Sequence, residues 1–205
     1  LLSETQRRPF IDGIVADIIV AEPQYARAVD AALEGLTDAL LVNSTGDFLQ
    51  DDELLNKLDS RIHVICMDRI APFCDCPNQS DQTGVLGRLV EYVQYDCRFS
   101  RVVWELLGHV LIVESLDAAM QLAGRLDAHY RYVTPDGQVF SKGHLLNMGP
   151  VGKNVGLISR KSRIQELHEA IASLNRQIQE HSGVLVDTEH KNEHLAALCK
   201  ELRTS

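Results

Sequence analysis

Residues 131–156 read RYVTPDGQVFSKGHLLNMGPVGKNVG and hold five of the thirteen glycines in the chain. An apolar run at residues 130–133 predicts a strand. The Pro-Asp-Gly sequence at 135–137 predicts a tight turn, because proline presets φ and glycine accepts a positive φ. A second short strand is expected at 139–140, and the later glycines leave backbone without side-chain cover. Such backbone suits close approach by another backbone or by a phosphate, so this stretch is the first candidate for a contact surface.

A phosphate-binding loop is the first interpretation to test at residues 149–154. That motif needs a glycine, four residues and then Gly-Lys-Ser/Thr. Asn147 stands where its first glycine belongs, and Asn154 follows Lys153 in place of the hydroxyl residue. No G-x-G-x-x-G occurs either. We therefore expect a glycine-rich structural segment and no nucleotide or other cofactor.

Composition narrows the class of protein. The chain has 205 residues, of which 45% are hydrophobic and 24% charged, and its net charge is −9. This is a globular balance, and it argues against a protein covered in nucleic-acid contacts. No apolar run reaches the ~18 residues that cross a membrane. Five irregularly placed cysteines make no secreted disulfide framework, so we expect a cytoplasmic protein. Because it begins at Leu1 without methionine, we expect a fragment.

The order of elements is predicted to occur twice. Apolar periodicity predicts strand, helix, strand, helix, strand at residues 14–20, 24–34, 39–42, 47–58 and 62–66. After a linker, the same order is expected at 89–93, 98–107, 110–113, 116–126 and 130–133. Ile18, Tyr25, Val29 and Leu33 stand 74 residues before Tyr92, Phe99, Val103 and Leu107. We therefore predict an α/β protein of mixed α+β character, with two related subdomains.

The last segment follows a different period. From Ile164 onward, apolar residues recur every 3.5 positions on average, as in a coiled coil. Nine of twelve a and d positions are apolar; the a positions are Ile164, Ile171, Ile178, Leu185, Asn192 and Cys199, and the d positions are Leu167, Leu174, His181, Thr188, Leu195 and Leu202. A lone helix of this kind is unstable in water, so it needs a partner helix. The end of that partner is expected at residues 1–8.

Several short segments resemble one family when they are taken in order. They are Gly13-Ile14-Val15-Ala16-Asp17, then residues 25–33 (YARAVDAAL), 84–87 (GVLG), 106–119 with LLG and VLIVESLDAA, and 133–143 with VTPDG and FSKG. Together they resemble the hinge domain of structural maintenance of chromosomes (SMC) proteins, of the bacterial condensin type. The resemblance covers nearly the whole chain.

This resemblance implies an organisation and a role. Residues 1–8 would end an N-terminal coiled-coil strand, 9–69 and 84–158 would be the two hinge subdomains joined by a linker at 70–83, and 159–205 would begin the C-terminal strand of an antiparallel coiled coil. Two hinges would form a homodimer that joins two ATPase arms into a V or ring for chromosome condensation and segregation. The protein would then be nucleoid-associated, and the ATPase motifs would lie outside this segment.

Two groups of residues are candidates for these contacts. The dimer is expected to form by edge-strand addition through Gly137, Gly143, His144, Gly149 and Gly152. A basic cluster where the globular part meets the coiled coil predicts weak, salt-dependent DNA contact; the alternative is a solvated, basic helix start. Its members are Arg7, Arg8, Lys142, Lys153, Arg160, Lys161 and Arg163.

Other kinds of site find little support in the sequence. Cys66, Cys74 and Cys76 near His63 offer one C-x-C, whereas structural zinc sites favour C-x₂₋₄-C pairs, so no metal is expected. No nucleophile–base motif occurs, and we expect neither an enzyme nor a small-molecule substrate. The alternative function is a small α/β ligand-binding or regulatory domain that dimerises through its coiled-coil tail.

Overall fold

The computed structural model describes residues 8–72, 79–126, 129–141, 143–149 and 156–204. The chain divides into two compact units, Leu1–Ser162 and Arg163–Ser205. All described strands lie in the first unit, which consists of two halves. The second unit is helical over its described length.

The first half is built on a three-stranded sheet in the order β1-β3-β4. Its elements are β1 (Ile11–Ile14), α1 (Val15–Ile18), β2 (Val20–Ala21), α2 (Ala26–Ala32), β3 (Leu40–Val42), α3 (Thr45–Gln50), α4 (Asp52–Asn56) and β4 (Val64–Cys66). Strand β1 is antiparallel to β3, and β3 is parallel to β4. One 3₁₀ turn, Pro23–Tyr25, precedes α2, and another, Met67–Arg69, follows β4.

The second half is built on a five-stranded sheet in the order β10-β9-β8-β7-β5. Its elements are β5 (Val85–Arg88), β6 (Val93–Gln94), α5 (Ser100–Leu107), β7 (Val110–Val113), α6 (Leu116–Ala123), β8 (Arg131–Val133), β9 (Val139–Ser141) and β10 (Leu145–Asn147). Only β7 and β8 are parallel neighbours in this sheet. The long helix α7 (Leu157–Thr204) then begins, and its first six residues belong to the first unit.

The two halves repeat one another in three dimensions. Gly13 and Gly87, which are 74 residues apart, each lie at a bulge in the first strand, with φ of +125° and +152°. Strand β2 of the first half pairs antiparallel with β6 of the second, so that Val20 faces Gln94, its own equivalent in the repeat. The duplication predicted from the sequence is therefore present in the fold.

The core is shared between the halves. In β7 the side chains alternate, because successive residues of a strand point to opposite faces. Val110 and Ile112 join a central cluster to which both halves contribute, including Val29 and Val103. Leu111 and Val113 join a separate cluster under α6. A third cluster, around Phe48, covers the outer face of the first sheet.

The structure departs from the predicted elements in several places, and strands β5 and β10 were not predicted. The strands expected at 14–20 and 89–93 each contain a helical turn, α1 and the 3₁₀ turn Leu89–Tyr92. Short apolar runs do not distinguish a buried strand from a buried helical turn. The helix expected at 47–58 is two helices, because the Asp51 carboxylate accepts the Leu54 N–H and caps a new start at Asp52.

The predicted fold class is confirmed. Strands and helices are mixed in two related halves, and a long helix follows them. Within the described residues, no helix combines the length and the apolar character that would carry it across a bilayer.

Candidate functional site

Strand β10 lies at the edge of the five-stranded sheet and exposes apolar side chains. It pairs with β9 on one side, and among the described strands none pairs with its other side. Leu145 and Leu146 are each 43% exposed, and Met148 just beyond the strand is 62% exposed. An open edge with apolar side chains is a template for the addition of another strand.

The turn that leads into β9 is held by its own backbone. The Gly137 N–H donates to the Thr134 carbonyl and the Thr134 N–H donates to the Gln138 carbonyl, both at 2.9 Å. Gly137 is buried against α2, where a Cβ would lie 3.2 Å from the Arg27 carbonyl oxygen. The close approach of backbone at this glycine is therefore made within the chain.

The other predicted dimer residues lie around β10. Gly143 and His144 are exposed in the β9–β10 turn, and Gly149 is exposed two residues after the strand. The φ angles of Gly143 and Gly149 are +69° and +108°, and no described atom lies within 4 Å of either glycine's virtual Cβ. Gly152 lies outside the described residues.

The start of α7, residues 157–162, is the helix root, and it is fastened to the first half of the first unit. The buried Asp30 carboxylate accepts the Ile158 N–H at 3.2 Å, the Ser159 N–H at 2.8 Å and the Ser159 hydroxyl. The Ile158 side chain is buried in the central core. Ser162 Oγ donates to the Ala21 carbonyl at 3.3 Å. These contacts supply the acceptor that the free N–H groups of a helix start require.

A family model described as the flexible hinge domain of SMC proteins matches residues 8–123. The chain belongs to the SMC hinge family. The chromosome partition protein Smc of Rhodopirellula baltica is 27% identical over 205 residues, 92% of this chain and 16% of the relative. That of Bacillus subtilis is 27% identical over 181 residues, 85% of this chain and 15% of the relative. The hinge chain thus spans a small part of these relatives.

The solved structures agree with this assignment. The Geobacillus stearothermophilus SMC hinge domain, crystallised as an asymmetric dimer, has a TM-score of 0.65 and 28% identity. The match covers 82% of this chain and 72% of that one. The family predicted from the sequence is confirmed.

The hinge domain engages several of its basic candidates in contacts of its own. Arg8 pairs with Asp51, and its Nη2 lies 3.3 Å from Asp51 Oδ1. Lys161 Nζ donates to the Ala16 and Asp17 carbonyls at 3.2 and 3.4 Å, at the end of α1. Arg163 Nη1 lies 2.9 Å from Glu166 Oε2, and the Arg160 side chain is exposed. The other three candidates lie outside the described residues: Arg7, Lys142 and Lys153.

Two structural residues of the hinge were not found by sequence reasoning. Asp30, at the helix root, stands alone as an acid among the apolar residues of α2. Arg131 is half-buried, and its guanidinium donates to carbonyls of both α2 and α5. Both residues are charged and stand within an apolar run of the sequence. This pattern could have identified them, because a buried charge needs an ionic or hydrogen-bonding partner.

The cysteines of the hinge form no metal site that the structure describes. Cys66 is half-buried at the end of β4, while Cys74 and Cys76 lie outside the described residues. Over the described part of the chain, no three histidine, cysteine or acidic residues are placed to hold a metal ion.

Proposed function

We propose that this hinge domain joins two copies of its own chain and thereby links two coiled-coil arms of an SMC protein. The observation that carries the proposal is β10, an apolar strand exposed at the edge of a sheet. A partner strand would satisfy its open N–H and C=O groups and cover Leu145 and Leu146. The dimer reported for the Geobacillus stearothermophilus hinge supports this role.

The second edge needed for a closed pair is available in the other half. Strand β4 ends the three-stranded sheet, and its residues are half-buried. If β10 of each copy adds to β4 of the other, two equivalent contacts form about a two-fold axis and the pair closes. Gly143 and Gly149 then allow the backbones to approach beside the strand.

The test is the mass of the globular part in solution. The chain should be shortened after Ser162 and not before it, because Ile158 is buried and Asp30 caps the helix root. We expect the shortened chain to sediment as a dimer and the Leu145→Lys/Leu146→Lys variant to sediment as a folded monomer. Lysine on an edge strand disfavours pairing, and both side chains point to solvent, so the fold should persist.

The matched control is Leu49→Lys/Met120→Lys, which adds the same charge at side chains that are 61% and 52% exposed elsewhere. This control should remain dimeric. A shortened chain that is monomeric without substitution would instead favour the alternative, a ligand-binding or regulatory domain that dimerises through its coiled-coil tail.

We also propose weak DNA contact near the helix root. Arg160, Lys161 and Arg163 occupy one turn of α7, and a phosphate backbone would be attracted to this charge. Reversing all three to glutamate should abolish most of the binding measured by fluorescence anisotropy at low salt. Reversing the exposed Arg69, Arg101 and Arg125 changes the net charge equally and should have a smaller effect. Binding that ignores salt, or survives the first variant, contradicts the proposal.

The proposed role is structural. We propose that the domain acts in chromosome condensation and segregation, in the cytoplasm and at the nucleoid, with no catalysis, cofactor or small-molecule substrate of its own. The names of the Rhodopirellula baltica and Bacillus subtilis relatives, chromosome partition proteins, support this role.

A further inference from the structure

A groove of about 450 Å³ opens in the first unit beside the β2–β6 pair. Ile18 and Phe99 contribute its apolar lining, and Asp12, Asp17, Asp96 and Arg98 contribute charged groups. It is separate from β10, and it borders the helix root, where Lys161 reaches the Asp17 carbonyl. The equivalent position in the second half of the first unit indicates which kind of side chain this groove can hold.

The equivalent place in the other half is filled by a tyrosine. Tyr92, which stands 74 residues after Ile18, packs its ring 4.4 Å from that of Tyr25, the equivalent of Phe99. Its hydroxyl donates to the Leu86 carbonyl at 2.8 Å, and Leu86 is the equivalent of Asp12. Because Ile18 is shorter than tyrosine and carries no hydroxyl, the first half lacks both the ring and this hydrogen bond.

The glycines at the two bulges, Gly13 and Gly87, show the same difference between the two halves. Gly87 has to be glycine, because a Cβ there would lie 2.6 Å from Tyr92 Oη and 2.8 Å from its Cε2. Gly13 has the same position in the repeat and the same kind of φ, but no described atom lies within 4 Å of its virtual Cβ. The first half therefore keeps the flat backbone platform without the ring that lies on it in the second half.

The charge of the groove indicates what accompanies the ring. The side chains that line the groove include three carboxylates and one guanidinium. The Asn43 side-chain amide donates to Asp12 Oδ2 at 3.0 Å, and Arg98 Nε lies 3.4 Å from Asp96 Oδ2. Asp17 is exposed, and Lys161 reaches its main-chain oxygen at 3.4 Å. The excess of negative charge favours a positively charged ligand.

We propose that this groove binds a tyrosine side chain that a partner protein presents within a basic segment. The ring lies over Gly13 and against Ile18, and its hydroxyl donates to the Asp12 carbonyl, as that of Tyr92 donates to Leu86. Lysine or arginine residues next to this tyrosine pair with Asp17 and Asp96. An aromatic side chain in a pocket, surrounded by polar contacts, is a common anchor of protein interfaces.

The probe is the blocked tripeptide Lys-Tyr-Lys, titrated into the ¹⁵N-labelled full chain and followed by NMR. We expect saturable shifts confined to amides of residues 12–18 and 94–99. Lys-Phe-Lys should bind more weakly because it lacks the hydroxyl. Lys-Ala-Lys should give no saturable shift, and Glu-Tyr-Glu should bind more weakly than Lys-Tyr-Lys because of the carboxylates.

Two variants of the chain test separately how the ring and the charges contribute to binding. Ile18→Tyr rebuilds the tyrosine of the other half and should weaken Lys-Tyr-Lys binding by about tenfold or more, since it fills the groove. Met120→Tyr, at an exposed position of α6, is its matched control and should bind normally. Because Ile18 is in the core, Asp17→Asn/Asp96→Asn serves as a second variant that leaves the fold intact. It should weaken binding roughly threefold or more and reduce its salt dependence.

The proposal is overturned by the absence of saturable shifts, by equal binding of Lys-Ala-Lys, or by binding that is unchanged in the asparagine variant. If Ile18→Tyr folds and still binds the tripeptide as well as the unaltered chain does, the groove is not the site. None of these outcomes bears on dimerisation through β10, which is measured separately.

Discussion

Arg131 joins the two halves of the first unit through one guanidinium. Its Nη1 donates to the Ala32 carbonyl at 2.9 Å, and its Nη2 donates to the Leu106 carbonyl at 2.7 Å. These carbonyls are equivalents in the repeat and lie at the C-terminal ends of α2 and α5, where a helix dipole favours a cation. Burial lowers the pKa of Arg131, and the nearby Glu34 carboxylate raises it. Arginine remains charged at neutral pH in such a place.

Replacing Arg131 by methionine should therefore destabilise the fold. Arg131→Met keeps an unbranched apolar stem but removes both hydrogen bonds and leaves two carbonyls without this donor. We expect a loss of about 2–4 kcal/mol in the free energy of unfolding, measured with urea. Arg101→Met, at an exposed position of α5, should change it by less than about 0.5 kcal/mol. Equal effects of the two substitutions would contradict the role given to Arg131.

The ion pair between Arg8 and Asp51 should make the stability of the fold depend on pH. The hydrogen bond from Arg8 lowers the pKa of Asp51 below its ordinary value of 3.8, and the Leu54 N–H contributes to the same shift. A carboxyl group whose pKa is lower in the folded state than in the unfolded state stabilises the fold at pH values above its unfolded pKa. This stabilisation is lost as the pH falls through the folded pKa. In Arg8→Gln, the pKa of Asp51 measured by NMR titration should rise and the acid dependence of stability should become smaller. The pKa of Asp68, which Thr45 lowers, should not move.

Helix α7 depends at its start on a residue distant in sequence. Asp30 of α2 accepts the N–H groups of Ile158 and Ser159, which stand 128 and 129 residues later. Asp30→Ala should remove this cap, and loss of a capping side chain costs about 0.5–2 kcal/mol. Hydrogen exchange should accelerate at residues 157–162. Asp117→Ala, in the exposed first turn of α6, should leave the exchange of the helix root unchanged.

The second unit presents an uncovered apolar stripe at the scale of the whole molecule. Ile164 in the first turns and then Leu167, Ile171, Leu174, Ile178 and Leu185 are between 47% and 63% exposed. These are the a and d positions that the sequence predicts, so the stripe has the spacing of a coiled-coil seam. Within the described chain nothing covers it.

This stripe predicts helicity that depends on concentration. In the Leu145→Lys/Leu146→Lys background, which removes the proposed β10 dimer, heating should melt part of the helical circular dichroism signal at a temperature that rises with concentration. Ile171→Ser/Ile178→Ser should abolish this dependence, because a long helix without a covered seam is marginal in water. Val186→Ser, an exposed residue off the a and d positions, is the control. A signal that is independent of concentration before substitution would argue against self-association through the seam.

Local patterns in the sequence determined the order of strands and helices, the duplication, the heptad helix and the family, because each depends on residues within a few turns of one another. The turn at residues 135–137 belongs to this group, since proline and glycine fix backbone angles locally. Only the tertiary structure showed that Gly137 packs against α2, that Asp30 caps the helix root and that Arg131 joins two helix ends. Most of these contacts join residues about a hundred positions apart, so their geometry depends on how the two halves pack. The tertiary structure also decided between strand and helical turn at α1, because an apolar run is buried equally well in either form.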